Sequence, residues 1–199
     1  MKCNIIAIER EYASGGSEIG GKLAAKLGIP CYGQEILEKA AARLKLPLQE
    51  LARIEEDTTS SFLFGLAAFA NLTSGIEVDL VRIEQKLAFE EESIIHDMAV
   101  SPCVFVGRRA AALLRNKDDV LKVFIRADYS MRIERAINVY GHDPKQAELI
   151  LRRYDKRRAN YFKATIETDW KDANIYHMIL DSGKLGIDKV VDILCETVK

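Results

Sequence analysis

Ile5-Ile6-Ala7-Ile8-Glu9-Arg10-Glu11-Tyr12-Ala13-Ser14-Gly15-Gly16-Ser17-Glu18-Ile19-Gly20-Gly21-Lys22-Leu23 is the stretch that decides how this chain is read. An apolar, β-branched run ends in a polar turn with paired glycines. Ile19, Leu23 and Leu27 then recur every four residues, the period of a helix packed on one face. Strand, small-residue loop and helix in this order form the layout of a phosphate-binding loop, where backbone N–H groups and the positive helix N-terminus hold an anion. A literal G-x-x-x-x-G-K spans residues 16–22. In that register Leu23 falls where Ser or Thr would meet magnesium, and Lys22 lies well inside the helix, pointing away from the loop. The register set by strand and helix lengths makes residues 10–16 the loop instead. Gly15 then takes its second glycine position, Gly16 the lysine position and Glu18 the Ser/Thr position. Ser14, Gly15, Gly16 and Ser17 can present N–H groups to a phosphate. With no lysine, Arg10 or another cation has to supply the charge, and Glu18 is the candidate magnesium ligand. The rival reading is a glycine-rich strand-to-helix turn with no ligand.

Around this stretch the chain reads as one ordinary α/β domain. Its 199 residues are 48% hydrophobic and 30% charged, with a net charge of −1. That balance gives no global case for nucleic acid or an anionic membrane. The longest apolar run, 62–70, is too short to span a bilayer and contains Gly65. Met1-Lys2-Cys3-Asn4 leads straight into the first strand, so we expect no signal peptide. Cys3, Cys31, Cys103 and Cys195 form no C-x-x-C and read as reduced core thiols of a cytoplasmic protein. His96, His142 and His177 have no ligand spacing, which argues against a structural zinc site.

Taken in order, strands are expected at 3–9, 29–32, 103–106, 120–125 and 175–180. Helices are expected at about 17–27, 34–45, 47–57, 77–99, 108–114, 130–140, 145–165 and 187–198. Strands alternate with helices, and the apolar runs at 103–106 and 120–125 suit strands buried on both faces of a parallel sheet. Residues 57–75 are the least readable: 62–70 reads either as a short buried helix or as an exposed apolar patch for self-association, beside a long helix that could complete a homodimer surface.

Several basic residues fall where ligands are expected. Arg108 and Arg109 follow a buried strand at its C-terminal end, the edge at which α/β sheets place ligands. Arg126, Arg132 and Arg135 surround the next strand and helix. Arg152, Asp155 and Arg158 recur at three-residue steps in a helix dense in arginine and lysine, and so share a face. A solvated helix face is the alternative for this run. A nucleic-acid surface is less expected, because the arginines lack interleaved stacking aromatics beyond Tyr154, Tyr161 and Phe162.

Five stretches together resemble the cytidylate-kinase-like family, in order and over nearly the whole chain. They are Arg10-Glu11-Tyr12-x-Ser14-Gly15-Gly16-x-Glu18-Ile19, Lys26-Leu27-Gly28-Ile29-Pro30-x-Tyr32, Pro102-Cys103-Val104-x-Val106-Gly107-Arg108, Asp155-Lys156-Arg157-Arg158-Ala159-x-Tyr161, and Trp170 with a following strand. The resemblance implies a three-layer α/β/α domain with a five-stranded parallel sheet of P-loop nucleoside monophosphate kinase type. A helical insertion would span about 47–100 and a lid-like basic region about 128–165. It implies a phosphotransferase that moves the γ-phosphoryl group of ATP, with Mg2+, to a small acceptor such as a nucleoside monophosphate. Arg108 matches the arginine that helps hold the acceptor in true cytidylate kinases, within a motif Asp-Gly-Arg-Asp whose aspartates are Val106 and Arg109 here. Arg132, Arg152 and Arg158 correspond to lid arginines that neutralise the transferring phosphoryl group and Asp155 to the aspartate that orients one of them, Arg152 only loosely because the family's arginine falls on Leu151. The alternative is a catalytically inactive nucleotide- or anion-binding module, or an interaction protein, on a kinase fold.

Overall fold

A five-stranded parallel sheet in the order β2-β3-β1-β4-β5 organises the computed structural model, which describes residues 3–49, 51 and 80–198. The strands are β1 (Ile5–Arg10), β2 (Cys31–Tyr32), β3 (Cys103–Val106), β4 (Val120–Arg126) and β5 (Met178–Asp181). Between them run α1 (Gly16–Leu27), α2 (Gln34–Leu44), α3 (Leu80–Met98), α4 (Ala110–Leu113), α5 (Tyr129–Asn138) and α6 (Pro144–Ile166). A short 3-10 turn at Ala173–Ile175 precedes β5, and α7 (Ser182–Leu185) and α8 (Ile187–Val198) follow it.

The continuous apolar strands are buried on both faces because helices cover each side. Ile5, Ala7, Phe105 and Phe124 pack against Ile36, Leu87 and Ile94 of α2 and α3, with Trp170 and Tyr176. Ile6, Ile8, Val104 and Val123 pack on the other face against Ile19 and Leu23 of α1 and Val190 and Leu194 of α8. Gly20 permits the tight seating of α1: a Cβ there would come within 2.4 Å of the Val106 side chain.

β1 is central, with β3 and β4 on either side. The connection leaving β1 enters α1 on one face of the sheet, and that leaving β3 enters α4 on the other. Neighbouring strands whose connections part to opposite faces leave a crevice at their C-terminal ends, the place where open α/β sheets bind ligands.

The last strand begins later than its apolar run suggests. The Asp172 carboxylate accepts from the Asn174 N–H and holds Ala173–Ile175 as a 3-10 turn, so regular pairing starts at Met178 rather than Ile175. The Asp181 carboxylate then accepts from the Gly183 and Lys184 N–H groups and starts α7, an element with no hydrophobic period to announce it. The expected 62–70 stretch and residues 50 and 52–57 of the expected 47–57 helix lie outside the described residues, while 48, 49 and 51 are helical. No helix among the described residues is long and apolar enough to cross a membrane. Cys103 and Cys195 are buried, Cys3 and Cys31 half-buried, and all four are free thiols.

Candidate active site

The β1–α1 turn is built to point N–H groups outward. Gly15 caps α1 in the left-handed region (φ 80°), and no side chain caps the helix. The N–H groups of Gly16, Ser17 and Glu18 lie in its first turn, where no carbonyl four residues earlier is within the helix. Gly15, Gly16 and Ser17, with Arg10, Tyr12, Tyr140 and Arg158, line a recess of about 180 Å3. Ser14 is turned inward. Its hydroxyl reaches the Glu11 and Ile125 carbonyls at 2.9 and 3.2 Å, its N–H donates to Glu11 O at 3.4 Å, and its own carbonyl accepts from Ser182. Ser14 therefore supports the loop from behind.

Gly16, in the lysine position, is small for a steric reason. A Cβ there would lie 2.5 Å from Arg10 Cβ and 2.8 Å from Arg10 Cγ. The Arg10 side chain crosses the space where a loop lysine would begin and ends over Gly107, whose φ of 75° and missing Cβ admit the guanidinium. Arg10 and Gly16 thus exclude a lysine between them.

Glu18 is held by two cations, Arg135 and Lys22, the latter at 3.1 Å. Desolvation raises its pKa, but the hydrogen bonds from Lys22 and Arg135 outweigh that and lower it overall. Lys22 also donates to Asp188 at 2.8 Å, on the outer side of α1.

A second recess, also about 180 Å3, adjoins the first and shares Arg10 and Arg158 with it. Its floor is Glu9 at the end of β1, and Arg108, Arg109, Arg157, Tyr154 and Trp170 form its walls. Gly107, Arg108 and Arg109 adopt φ of 75°, 58° and 60°, a run of left-handed residues that costs conformational energy at each non-glycine position. Glu91 of α3, fully buried, holds the run in place. One carboxylate oxygen takes Arg108 at 3.3 Å, and the other takes Arg109 at 2.6 Å and the Tyr161 hydroxyl at 2.9 Å.

The basic helix α6 lies against the loop. Asp155 accepts from the Tyr12 N–H at 2.8 Å and from Arg132 at 2.6 Å, and Arg132 donates also to the Tyr12 carbonyl at 3.2 Å. Tyr154 stacks on Tyr12 with centroids 4.2 Å apart. Arg158 donates to the Arg10 carbonyl at 2.9 Å, and among the described residues no carboxylate lies within ion-pair distance of it. Burial pulls its pKa below the usual arginine value, an arrangement that an anionic ligand would relieve. Arg152 faces away, exposed and bonded to Glu148 and Tyr129.

Glu9 and Glu91, not singled out by sequence, complete the second recess together with Tyr154 and Arg157 of the basic helix. Burial raises the Glu9 carboxyl above its ordinary value of 4.5, against the pull of Arg10, Arg158, Arg109 and Arg108. A carboxyl whose folded pKa is raised gives its full stability below the unfolded value and loses it as pH climbs through the folded one. Glu9→Gln should therefore raise the Tm at about pH 8 and leave it unchanged or slightly lower at about pH 4. Scanning calorimetry at the two pH values checks the sign.

Central β1, the glycine turn that follows it and the parallel sheet covered by helices on both faces define the class: a P-loop kinase fold. The chain belongs to the cytidylate kinase-like family, whose profile matches residues 5–184. It is 21% identical over 192 residues to a cytidylate kinase of Methanopyrus kandleri, covering 96% of this chain and 90% of that one. Among solved structures, an uncharacterized protein from Eubacterium ventriosum superposes with a TM-score of 0.71 at 24% identity, covering 98% of this chain and 97% of that one. A shikimate kinase from Acinetobacter baumannii, in complex with shikimate, gives 0.52 at 10% identity, covering 98% and 93%.

Proposed function

We propose that the protein is a phosphotransferase that moves the γ-phosphoryl group of ATP to a small anionic acceptor, with nucleoside monophosphates as the first class to test. The observation that carries this reading is the pair of adjoining recesses with Arg10 and Arg158 in their common wall. The glycine-lined recess suits the donor phosphates, through the N–H groups of Gly15, Gly16 and Ser17 and the charge of Arg10. The second recess suits the acceptor, with Arg108 and Arg109 fixed by Glu91 and with Arg157 beside them. Arg158 between them would neutralise the phosphoryl group in flight, and Asp155 and Arg132 would hold α6 in register over the loop. Phosphoryl transfer depends mainly on such positioning and electrostatics.

The residues fit the triphosphate better than they fit a protein-held metal. Glu18 is occupied by Arg135 and Lys22, and among the described residues no group of three or more His, Cys, Asp or Glu is placed to hold an ion. Magnesium would enter on the ATP phosphates, and no step is assigned to a metal held by the chain.

The test is purified protein with Mg-ATP and a panel of nucleoside monophosphates and small anionic alcohols, reading ADP release and thermal shift. The expected result is a rise in Tm with ATP and ADP formation with at least one acceptor. Neither a shift nor ADP overturns the reading. The occupied Glu18 and the absent loop lysine favour a second reading, a nucleotide- or anion-binding module without turnover. Its signature is a thermal shift with ATP or phosphate and no ADP.

A further inference from the structure

Glu9 is a feature that the scheme above leaves unused. It is 4% exposed, and its Oε1 is buried with no hydrogen-bond partner among the described residues. Leaving a buried polar atom unpaired is costly, so its persistence calls for a ligand or a reaction. It sits at the C-terminal end of the central strand and forms part of the second recess. The charges facing it come from each neighbouring element: Arg10 from its own strand, Arg108 and Arg109 from the β3–α4 turn, and Arg158 from α6. Tyr176, approaching β5, also feels its charge.

A bare carboxylate is a poor neighbour for an attacking phosphate oxygen, which is already ionised and needs no base. It is a suitable neighbour for a hydroxyl, whose proton must leave as the oxygen attacks. Arginines on the walls suit an acceptor that also carries a carboxylate or phosphate. We propose that Glu9 is the general base of the reaction and that the acceptor is a small anionic alcohol, phosphorylated on a hydroxyl rather than on a phosphate. This rests on the kinase reading above and narrows its acceptor class.

In the step, the Glu9 carboxylate takes the hydroxyl proton while the alcohol oxygen forms a bond to the γ-phosphorus. The bond from that phosphorus to the β,γ-bridging oxygen breaks, and its electron pair leaves with ADP beside Arg10 and Arg158. The products are a phosphate monoester, ADP and one proton, which Glu9 passes to water at the mouth of the recess. Burial raises the Glu9 pKa and so makes its carboxylate a stronger base than an exposed glutamate.

The experiment sets two acceptor panels side by side with Mg-ATP. One contains nucleoside monophosphates. The other contains glycerate, gluconate, tartrate and hexose 6-phosphates. Phosphorus NMR separates a new monoester from a new phosphoanhydride. The expected result is a monoester from the hydroxyl panel. Glu9→Gln should lower kcat by ~100-fold or more, with KM for ATP and acceptor within about threefold, and Glu9→Asp should retain part of the rate. In the unaltered protein kcat should rise with pH and level off, and that acid limb should vanish in Glu9→Gln. An unchanged ATP thermal shift in both variants shows that the fold and donor site survive. ADP formed only with nucleoside monophosphates, or a Glu9→Gln enzyme of full activity, overturns this inference and leaves the kinase reading standing. ADP from neither panel overturns both.

Discussion

Gly16→Lys, which writes a lysine back into the phosphate loop, is expected to weaken ATP binding by at least ~100-fold and to lower stability by about 1–3 kcal/mol, the usual cost of overpacking. The site already contains the reason. A Cβ on residue 16 would press to 2.5 Å from Arg10 Cβ, an atom fixed to the strand backbone, so the end of β1 and the start of α1 would have to part. That separation displaces the N–H groups of the first helical turn and lifts the Arg10 guanidinium off Gly107. Arg10→Gly together with Gly16→Lys removes the collision, and the pair should recover both Tm and ATP affinity relative to Gly16→Lys alone. Calorimetric titration with Mg-ATP across the wild type, two single variants and the double variant gives the coupling energy. Additive effects, or a Gly16→Lys protein that binds ATP more tightly, would show that Arg10 does not occupy the place of the lysine.

The second large effect is on folding. Glu91→Ala should cost about 3–5 kcal/mol, because it leaves a buried arginine without its carboxylate. Arg109 is 3% exposed and bonds Glu91 at 2.6 Å, and the same carboxylate anchors Arg108 and Tyr161. For a chain of this size each kcal/mol is worth about 2–4 °C in Tm. The loss should be visible as a lower denaturant midpoint, with Arg108 no longer held at the wall of the second recess. Glu91→Gln keeps the shape and some hydrogen bonding and should lose less. A Glu91→Ala protein that melts within a degree or two of the wild type would rule out this anchoring role.

The fold was legible because its signals are local. Residues 103–106 and 120–125 are unbroken apolar runs, and such runs become strands covered on both sides. The loop was legible for the same reason: strand, glycines and helix follow one another within twenty residues. Much of the site was not, since its parts meet only after folding. Glu91 lies in a helix that reads as amphipathic and ordinary, and only the return of β3 beside β1 brings Arg108 and Arg109 onto it. Glu9 is one polar residue at a strand end, and its isolation becomes visible once α6 closes over it. Helical phase explains α6. Steps of three residues advance about 300°, so Arg152 and Arg158 stand about 120° apart, and the fold can turn Arg158 inward while Arg152 stays in water.

The bond from the Tyr12 N–H to Asp155 has a consequence for measurement. The Glu11 and Ser14 amides of the same turn bond to backbone carbonyls, of Ile125 and Glu11, whereas this one is tied to a side chain of α6, 143 residues away. Its proton is sheltered only while the basic helix rests on the loop. Hydrogen exchange at this single position should therefore report how often α6 separates from the turn, in the protein as it stands, with no label, probe or substrate.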